Sequence, residues 1–156
     1  MKNVLVFGAG LVAGPLIRHL LDRDYQVTVA SRTLRKAQDL IDNHPRGRAV
    51  RFDVTKDEAE LDDLVTEANL VVSLLPYIHH VRIAEACIKH QRPLVTTSYI
   101  SDEMEKLDED AREAGVILLN ELGLDPGIDH MSAMRVIDRA HDAGGQVKAF
   151  RSFCGG

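Results

Sequence analysis

Short apolar runs alternate along the chain with longer stretches of helical periodicity, and this alternation constrains the fold more than any other feature. Several runs are apolar at successive positions, which indicates strands buried on both faces. The predicted strands are residues 3–7, 26–30, 49–53, 70–75, 93–97 and 116–119. Repeated strand–helix units predict an α/β fold with a doubly wound, Rossmann-type parallel sheet.

Helices are predicted between these strands. Val12, Leu16, Ile17, Leu20 and Leu21 form one apolar stripe at helical spacing. The segment 55–58 fits a capping box and predicts a helix that reaches about Ala68. Further helices are predicted over 78–90 and over the acidic stretch 101–114, which Gly115 ends.

The C-terminal part of the chain follows a different pattern. Residues 123–127 are a cluster of helix and strand breakers and predict a loop. A helix over 128–142 and an extended strand over 146–154 follow. We therefore expect an NADP-binding domain over 1–125 and the start of a second, substrate domain over 126–156, cut short. An exposed strand over 147–153 would allow a homodimer by edge pairing.

Composition excludes several classes of protein. The net charge of −5 disfavours a dedicated nucleic-acid binder. A membrane span is not expected, because no apolar run approaches the ~18 residues that one requires. Cys87 and Cys154 belong to no C-x-x-C pair, so no structural zinc or other metal site is expected. With no recognisable leader at the N-terminus, we expect a cytoplasmic protein.

The first strand leads directly into Gly8-Ala9-Gly10-Leu11-Val12-Ala13, a G-x-G-x-x-A pattern. Between a strand and a helix this pattern is typical of dinucleotide-binding domains. Gly8 would permit the tight turn, Gly10 the close approach of a pyrophosphate, and Ala13 close packing of helix and sheet. The alternative is a glycine turn without a ligand.

The end of the second strand distinguishes the two nicotinamide cofactors. NAD-binding domains place an Asp or Glu there to bind the ribose 2′-hydroxyl. This chain has Ser31, Arg32 and Thr33 instead, whose side chains would bind a 2′-phosphate. The sequence therefore predicts NADP, although Arg32 as a solvated surface arginine is the alternative.

Two further segments follow predicted strands. Asp53 and Val54 lie where an adenine ring would rest, or else form an ordinary helix-cap region. Leu75 precedes Pro76 in the crevice where ligands of such sheets collect. His79 and His80 come next; adjacent histidines do not share a helix face, so we expect them to be partly exposed and without a catalytic role.

Several blocks together resemble the saccharopine dehydrogenases of the L-glutamate-forming type. The blocks are 8–13 (GAGLVA), 27–33 (VTVASRT), 73–77 (SLLPY), 97–101 (TSYIS), 120–130 (NELGLDPGIDH) and 152–156 (SFCGG). The resemblance covers the whole chain in order, and 120–130 is its most specific block.

The resemblance implies an enzyme of lysine metabolism. Such enzymes oxidise the secondary amine of saccharopine with a nicotinamide cofactor, giving glutamate and α-aminoadipate δ-semialdehyde, or catalyse the reverse. It assigns Ser98, Tyr99 and Asp125 to the substrate, with Asp125 and Tyr99 as candidate catalytic residues. The residues it assigns to the cofactor are Leu11, Val12, Ala13, Ser31, Arg32, Thr33, Asp53, Val54, Leu75, Ser98, Leu124 and Pro126, beside Gly8 and Gly10 of the glycine turn.

Members of this family continue beyond the block at 152–156, so we expect this chain to bind NADP(H) but to turn over saccharopine poorly or not at all. Three alternatives remain at this point. A non-catalytic NADP-sensing domain would share the glycine turn, and carboxynorspermidine dehydrogenase is a related oxidoreductase. An S-adenosylmethionine methyltransferase would usually carry an acid where this chain has Ser31 and Arg32.

The residues around 125–130 also have structural interpretations. Asp125 before Pro126 and Gly127 suits a turn, and Asp129 suits the first turn of a helix. The role of His130 stays open, as does that of Cys154, a strand residue or part of the substrate wall.

Overall fold

The chain folds around one parallel β-sheet in a computed structural model that describes residues 2–56 and 58–153. Its strands are β1 (Asn3–Phe7), β2 (Gln26–Ser31), β3 (Gly47–Arg51), β4 (Leu70–Ser73), β5 (Leu94–Thr96) and β6 (Leu118–Leu119). Their order across the sheet is β3-β2-β1-β4-β5-β6. This is the order of the Rossmann fold, so the predicted fold class is confirmed.

The chain reverses its direction of winding between β1 and β4. β1 pairs with β2 on one side and with β4 on the other, with Val4 opposite both Val27 and Leu70. Ligands of open α/β sheets bind at this switch point, outside the carboxyl ends of the strands. Phe7 and Ser73 end the two strands there.

Helices cover both faces of the sheet. They are α1 (Ala13–Leu21), α2 (Leu34–Ile41), α3 (Glu58–Thr66), α4 (His80–Lys89), α5 (Asp102–Glu105), α6 (Asp108–Glu113) and α7 (Ile128–Asp142). A short 3-10 turn, Tyr77–His79, precedes α4. The core lies on both faces of β1, where Leu5 and Phe7 join one buried cluster and Val4 and Val6 the other. The apolar run therefore reflects burial on both faces, as its sequence predicts.

Two local expectations are wrong. Val12 is 74% exposed and precedes α1, because the helix turns Ala13, Ile17 and Leu21 inward instead. The stretch 101–114 forms two short helices, α5 and α6, rather than one. The capping box at 55–58 stays a prediction, because Asp57 lies outside the described residues; the Thr55 hydroxyl donates to Asp53 Oδ1 (2.7 Å), and α3 begins at Glu58.

The segment after Gly144 also differs from its expectation. Residues 146–153 form no strand, and all of them are exposed; Cys154 lies outside the described residues. A strand needs a neighbour for its backbone hydrogen bonds, and in the described chain this segment has none. The strand over 146–153 is therefore absent from the single chain, and edge pairing with a second copy stays a prediction. Helix α7, predicted over 128–142, is confirmed, but none of its residues is buried. Among the described helices, none has the length and apolar character needed to cross a bilayer.

Candidate functional site

A cleft of about 260 Å³ opens at the carboxyl ends of β1 to β4. We call it the nucleotide cleft. Its walls come from the glycine turn after β1, the ends of β2 and β3, and the turn after β4. It is lined by Phe7, Gly8, Ala9, Gly10, Ala30, Ser31, Arg32, Thr33, Lys36, Phe52, Asp53, Val54, Thr55, Leu74, Leu75, Pro76 and His79.

The glycine turn has the geometry that a pyrophosphate requires. Gly8 has φ +108°, a conformation that side chains rarely adopt, and a Cβ there would lie 3.1 Å from the Leu74 carbonyl oxygen. At Gly10 a Cβ would meet no atom within 4 Å, so the backbone here faces open space rather than protein. The turn thus leaves a cradle into which phosphate oxygens fit.

Helix α1 begins directly behind this cradle. Its N-cap residue, Val12, makes no side-chain capping hydrogen bond. The N–H groups of the first turn are therefore not capped by the side chain at this position. Ala13 is fully buried and sets the helix against the sheet, whereas Leu11 is fully exposed beside the turn. Helix N–H groups and the positive end of the helix dipole favour an anion at this position.

Cationic side chains gather at the β2–β3 end of the cleft. Arg32 lines the nucleotide cleft and also an adjoining pocket, which Arg51 and Lys56 line as well. Lys36, on α2, lines the nucleotide cleft too. Sequence reasoning missed Lys36 and Arg51. Lys36 lies in the first turn of α2, directly after the segment 31–33, and this closeness in sequence is the signal that could have found it.

Asp53 forms a tight turn at the end of β3. Its Oδ1 accepts hydrogen bonds from the Thr55 hydroxyl (2.7 Å) and the Thr55 backbone N–H (3.1 Å). These bonds lower the pKa of Asp53, and Lys56 and Arg32 contribute to the same shift. The carboxylate is therefore charged at neutral pH and fixed at the wall of the cleft.

A second group of predicted site residues lies beyond β5 and β6. The Tyr99 hydroxyl donates a 2.6 Å hydrogen bond to Asp125 Oδ1. This bond, with burial and the neighbouring carboxylates, raises the pKa of Tyr99 to about 12. Tyr99, which is protonated at neutral pH even at its ordinary pKa of 10.0, therefore keeps its proton to higher pH and acts as a hydrogen-bond donor rather than as a base.

The loop 120–127 that carries Asp125, here called the aspartate loop, is closely folded. Gly123 and Gly127 form an isolated bridge, and a Cβ on Gly127 would lie 2.3 Å from the Gly123 carbonyl oxygen. Asp129 Oδ1 accepts from the Gly127 N–H at 2.9 Å. Asp129 thus has the helix-start role that its position predicts.

Asp125, Asp129 and His130 lie close enough for their ligand atoms to fall within 4.8 Å of one another. The carboxylates are already engaged, Asp125 with Tyr99 and Asp129 with the His130 ring. Exposed acidic clusters are common, and nothing else at this position points to a metal ion. We assign no metal to it.

His80 corrects the expectation that both adjacent histidines are partly exposed. His79 is partly exposed and lines the nucleotide cleft, but the His80 side chain is only 3% exposed. His80 begins α4, and the helix turns the ring inward toward β4 and β5. Its two ring nitrogens lie 2.9 Å from Ser73 Oγ and 3.0 Å from Ser98 Oγ.

The predicted cofactor residues therefore separate into three sets. Gly8, Gly10, Ser31, Arg32, Thr33, Asp53, Val54 and Leu75 line the nucleotide cleft. Leu11, Val12 and Ala13 flank its glycine turn, with Ala13 buried in the core. Ser98, Leu124 and Pro126 lie outside the cleft lining, on the side of the sheet end where Tyr99 meets Asp125.

Comparison with known proteins gives consistent matches along the whole chain. Residues 4–119 match the family model described as Saccharopine dehydrogenase NADP binding domain. Residues 123–156 match the one described as Saccharopine dehydrogenase C-terminal domain.

Individual relatives agree with these family matches. The chain is 45% identical to Saccharopine dehydrogenase [NADP(+), L-glutamate-forming] of Schizosaccharomyces pombe, over 100% of this chain and 35% of that protein. It is 42% identical to Alpha-aminoadipic semialdehyde synthase, mitochondrial, of Mus musculus, over 99% of this chain and 17% of that one. The solved apo structure of saccharopine dehydrogenase (L-Glu forming) from Saccharomyces cerevisiae superposes with a TM-score of 0.83 at 43% identity, covering 96% of this chain and 33% of that chain. The chain thus spans about a third of the length of the two saccharopine dehydrogenases.

Proposed function

This chain belongs to the saccharopine dehydrogenase family and carries that family's NADP-binding domain, and from this premise we propose that its nucleotide cleft binds NADP(H) for the oxidation of a secondary amine. The substrate that we propose is saccharopine or a similar amino dicarboxylate, converted to glutamate and α-aminoadipate δ-semialdehyde, or formed in the reverse direction. The family membership sets aside the methyltransferases that a glycine-rich turn alone allows.

One observation carries the cofactor proposal. One cleft is lined both by a glycine turn that faces open space at Gly10 and by the cationic side chains of Arg32 and Lys36. A pyrophosphate fits the first, and a ribose 2′-phosphate fits the second. No carboxylate stands at 31–33 to hold a free 2′-hydroxyl.

The test is a fluorescence titration of the chain with NADPH and with NADH, repeated on Arg32→Ala. Hydrogen bonds to charged groups contribute about 1.5–3 kcal/mol, so the NADPH Kd should rise roughly tenfold or more. NADH binding should be weak throughout and change little, because it lacks the 2′-phosphate. Arg18→Ala, which removes an exposed arginine of α1 outside the cleft, is the matched control. Equal affinity for both cofactors in the unmodified chain would contradict the proposal.

For the substrate we propose that Asp125 orients the reacting amine. Tyr99 donates to one carboxylate oxygen of Asp125, which leaves the other oxygen available to a substrate N–H. When bound, NADP would supply the acceptor for the hydride of the C–H bond beside that amine. Tyr99, held protonated, would keep Asp125 in place.

We further propose that this chain alone binds the cofactor with little or no turnover, since it spans about a third of the saccharopine dehydrogenases it matches. The check is NADPH formation from saccharopine and NADP by the purified chain, measured by absorbance. The expected rate is indistinguishable from that of a sample without protein. Clear turnover would contradict this part of the proposal and would exclude a purely NADP-sensing role.

Partners and compartment follow the same premise. We propose a small-molecule substrate without nucleic-acid or membrane partners, and a homodimer remains a prediction for sedimentation analysis to test. Cys87 is buried and unpaired, which suits a reducing compartment such as the cytoplasm. The name of the Mus musculus relative places that protein in the mitochondrion, so cell fractionation is the deciding measurement.

A further inference from the structure

A buried imidazole lies where the nucleotide cleft meets the Tyr99–Asp125 pair. His80 contacts Ser73, which ends β4, and Ser98, which follows β5. Its neighbour in the sequence, His79, lines the cleft, and Tyr99 follows Ser98. The ring therefore connects the two groups of predicted site residues at the carboxyl edge of the sheet.

The charge state of His80 limits what it can do. Burial disfavours the imidazolium, and the nearby His79 adds to this effect, so the pKa of His80 is lowered. A neutral imidazole has one N–H donor and one acceptor nitrogen. Since both ring nitrogens are within hydrogen-bond distance of a serine hydroxyl, one serine donates to the ring and the other accepts from it.

Ser73 decides which nitrogen carries the hydrogen. Its side chain is fully buried, and among the described residues its hydroxyl is bonded only to His80 Nδ1. A buried hydroxyl hydrogen without an acceptor is costly, so Ser73 donates to Nδ1. The hydrogen of the ring is then on Nε2, which donates to Ser98 Oγ at 3.0 Å.

This arrangement leaves the Ser98 hydroxyl with a hydrogen of its own to donate. Ser98 is partly exposed, unlike Ser73, and its Oγ accepts from His80. Among the described residues that hydroxyl forms no hydrogen bond other than the one with the His80 ring. The Ser98 hydrogen is thus available to a bound ligand.

We propose that His80 is a positioning residue that holds the Ser98 hydroxyl as a hydrogen-bond donor to a carbonyl or carboxylate oxygen of the bound ligand. The inference rests on the proposed function for the ligand's identity. Two sources can present such an oxygen, the carboxamide of the cofactor and a carboxylate of the amino-acid substrate. Hydrogen bonds to Ser73 and Ser98 hold the orientation of the His80 ring. Because the ring donates to Ser98 Oγ, the Ser98 hydroxyl hydrogen points away from the ring.

The first test needs no ligand. Imidazole ¹⁵N NMR of the purified chain should show His80 as the neutral tautomer protonated at Nε2. Ser98→Ala should retain this tautomer. Ser73→Ala should give a mixture of the two neutral tautomers, because Ser73 supplies the hydrogen bond that favours protonation at Nε2. A ring protonated at Nδ1, or an imidazolium at neutral pH, overturns the proposal.

The second test measures binding by His80→Leu, Ser98→Ala and the double variant. One arm titrates NADPH, and the other titrates saccharopine into the NADPH-loaded chain. Loss of one hydrogen bond of about 0.5–1.5 kcal/mol corresponds to a rise in Kd of roughly 2- to 12-fold. Both single variants should weaken binding of the same ligand by a similar factor, and the double variant should be no weaker than Ser98→Ala alone.

Two further variants separate positioning from simple packing. His80→Gln, which keeps a side-chain N–H donor, should recover part of the lost affinity. Cys87→Ala removes another fully buried side chain of α4 and should lower the thermal stability without changing Kd. Unchanged affinity in both arms for Ser98→Ala overturns the proposal. A chain that binds neither ligand refutes the proposed function instead, and the NMR result still decides the role of His80.

Discussion

At the scale of single residues, the chemistry at the sheet edge depends on which groups stay neutral. Tyr99 is exposed, and its hydrogen bond to Asp125 raises a pKa that already keeps the phenol protonated at neutral pH. His80 is buried, and its burial lowers its pKa and favours the neutral ring. The two side chains thus act as fixed hydrogen-bonding groups at neutral pH. Hydrogen bonds whose direction is fixed in advance need not be reorganised when a ligand binds.

The Tyr99–Asp125 bond predicts a specific titration result. Asp125→Asn should lower the pKa of Tyr99 from about 12 toward its ordinary value of 10.0, because the hydrogen bond to the carboxylate is the largest cause of the shift. The measurement is absorbance of tyrosinate against pH, with Tyr99→Phe identifying the signal.

Glu121→Gln is the matched control for this titration. Glu121 raises the pKa of Tyr99 only through its charge, which is the smallest cause of the shift. Glutamine would retain the side-chain oxygen that accepts a hydrogen bond from the Ile100 N–H. Its effect on the Tyr99 pKa should be much smaller than that of Asp125→Asn. An equal shift in both variants would mean that the general negative field, and not the hydrogen bond, controls Tyr99.

At the scale of elements, the aspartate loop is shaped by close backbone contacts rather than by regular structure. A Cβ on Gly123 would lie 2.6 Å from the Thr97 carbonyl oxygen, and a Cβ on Gly127 would lie 2.3 Å from the Gly123 carbonyl oxygen. The Gly123 N–H also donates to the Pro126 carbonyl oxygen at 2.8 Å. The position of Asp125 therefore depends on the absence of side chains at two neighbouring residues.

Gly127→Ala should displace the loop and break the Tyr99–Asp125 bond, because the new methyl group would overlap backbone. The Tyr99 pKa should then fall toward 10, as it does in Asp125→Asn. Gly144→Ala is the matched control, since Gly144 also has positive φ but its Cβ position is open. A Gly127→Ala variant with the Tyr99 pKa still near 12 would show that the loop tolerates the methyl group.

At the scale of the whole molecule, the sheet and α7 differ in how they are stabilised. β1 is buried on both faces in two apolar clusters. The 15 residues of α7 include no buried one, and Met131, Met134 and Val136 are all more than half exposed. Isolated helices of this length are marginal in water.

Hydrogen exchange should reveal this difference directly. Amides of α7 should exchange much faster than those of β1, because local opening of α7 exposes little additional apolar surface. Exchange followed by mass spectrometry of peptides that cover 128–142 and 3–7 makes the comparison. Protection of α7 equal to that of β1 would indicate that α7 packs on an apolar surface, for example in a self-associated form.

The sequence by itself determined the sheet, the glycine turn, the missing carboxylate after β2 and the family resemblance. These depend on short-range patterns: apolar periodicity, breaker residues and motif spacing, all of which act within a few positions of the chain. The Rossmann order and the cluster of Ser31, Arg32 and Thr33 at the cleft follow from that information.

Only the tertiary structure decided the rest. The buried ring of His80 is hydrogen-bonded to Ser73 and Ser98, which lie 7 and 18 residues away in the chain. The Tyr99–Asp125 bond joins residues 26 positions apart. The segment 146–153 has a strand-like pattern, but no strand within the described part of the chain pairs with it. Hydrogen-bonded partners, not the pattern, make a strand. Each of these outcomes depends on which distant groups meet, and local periodicity carries no information about that.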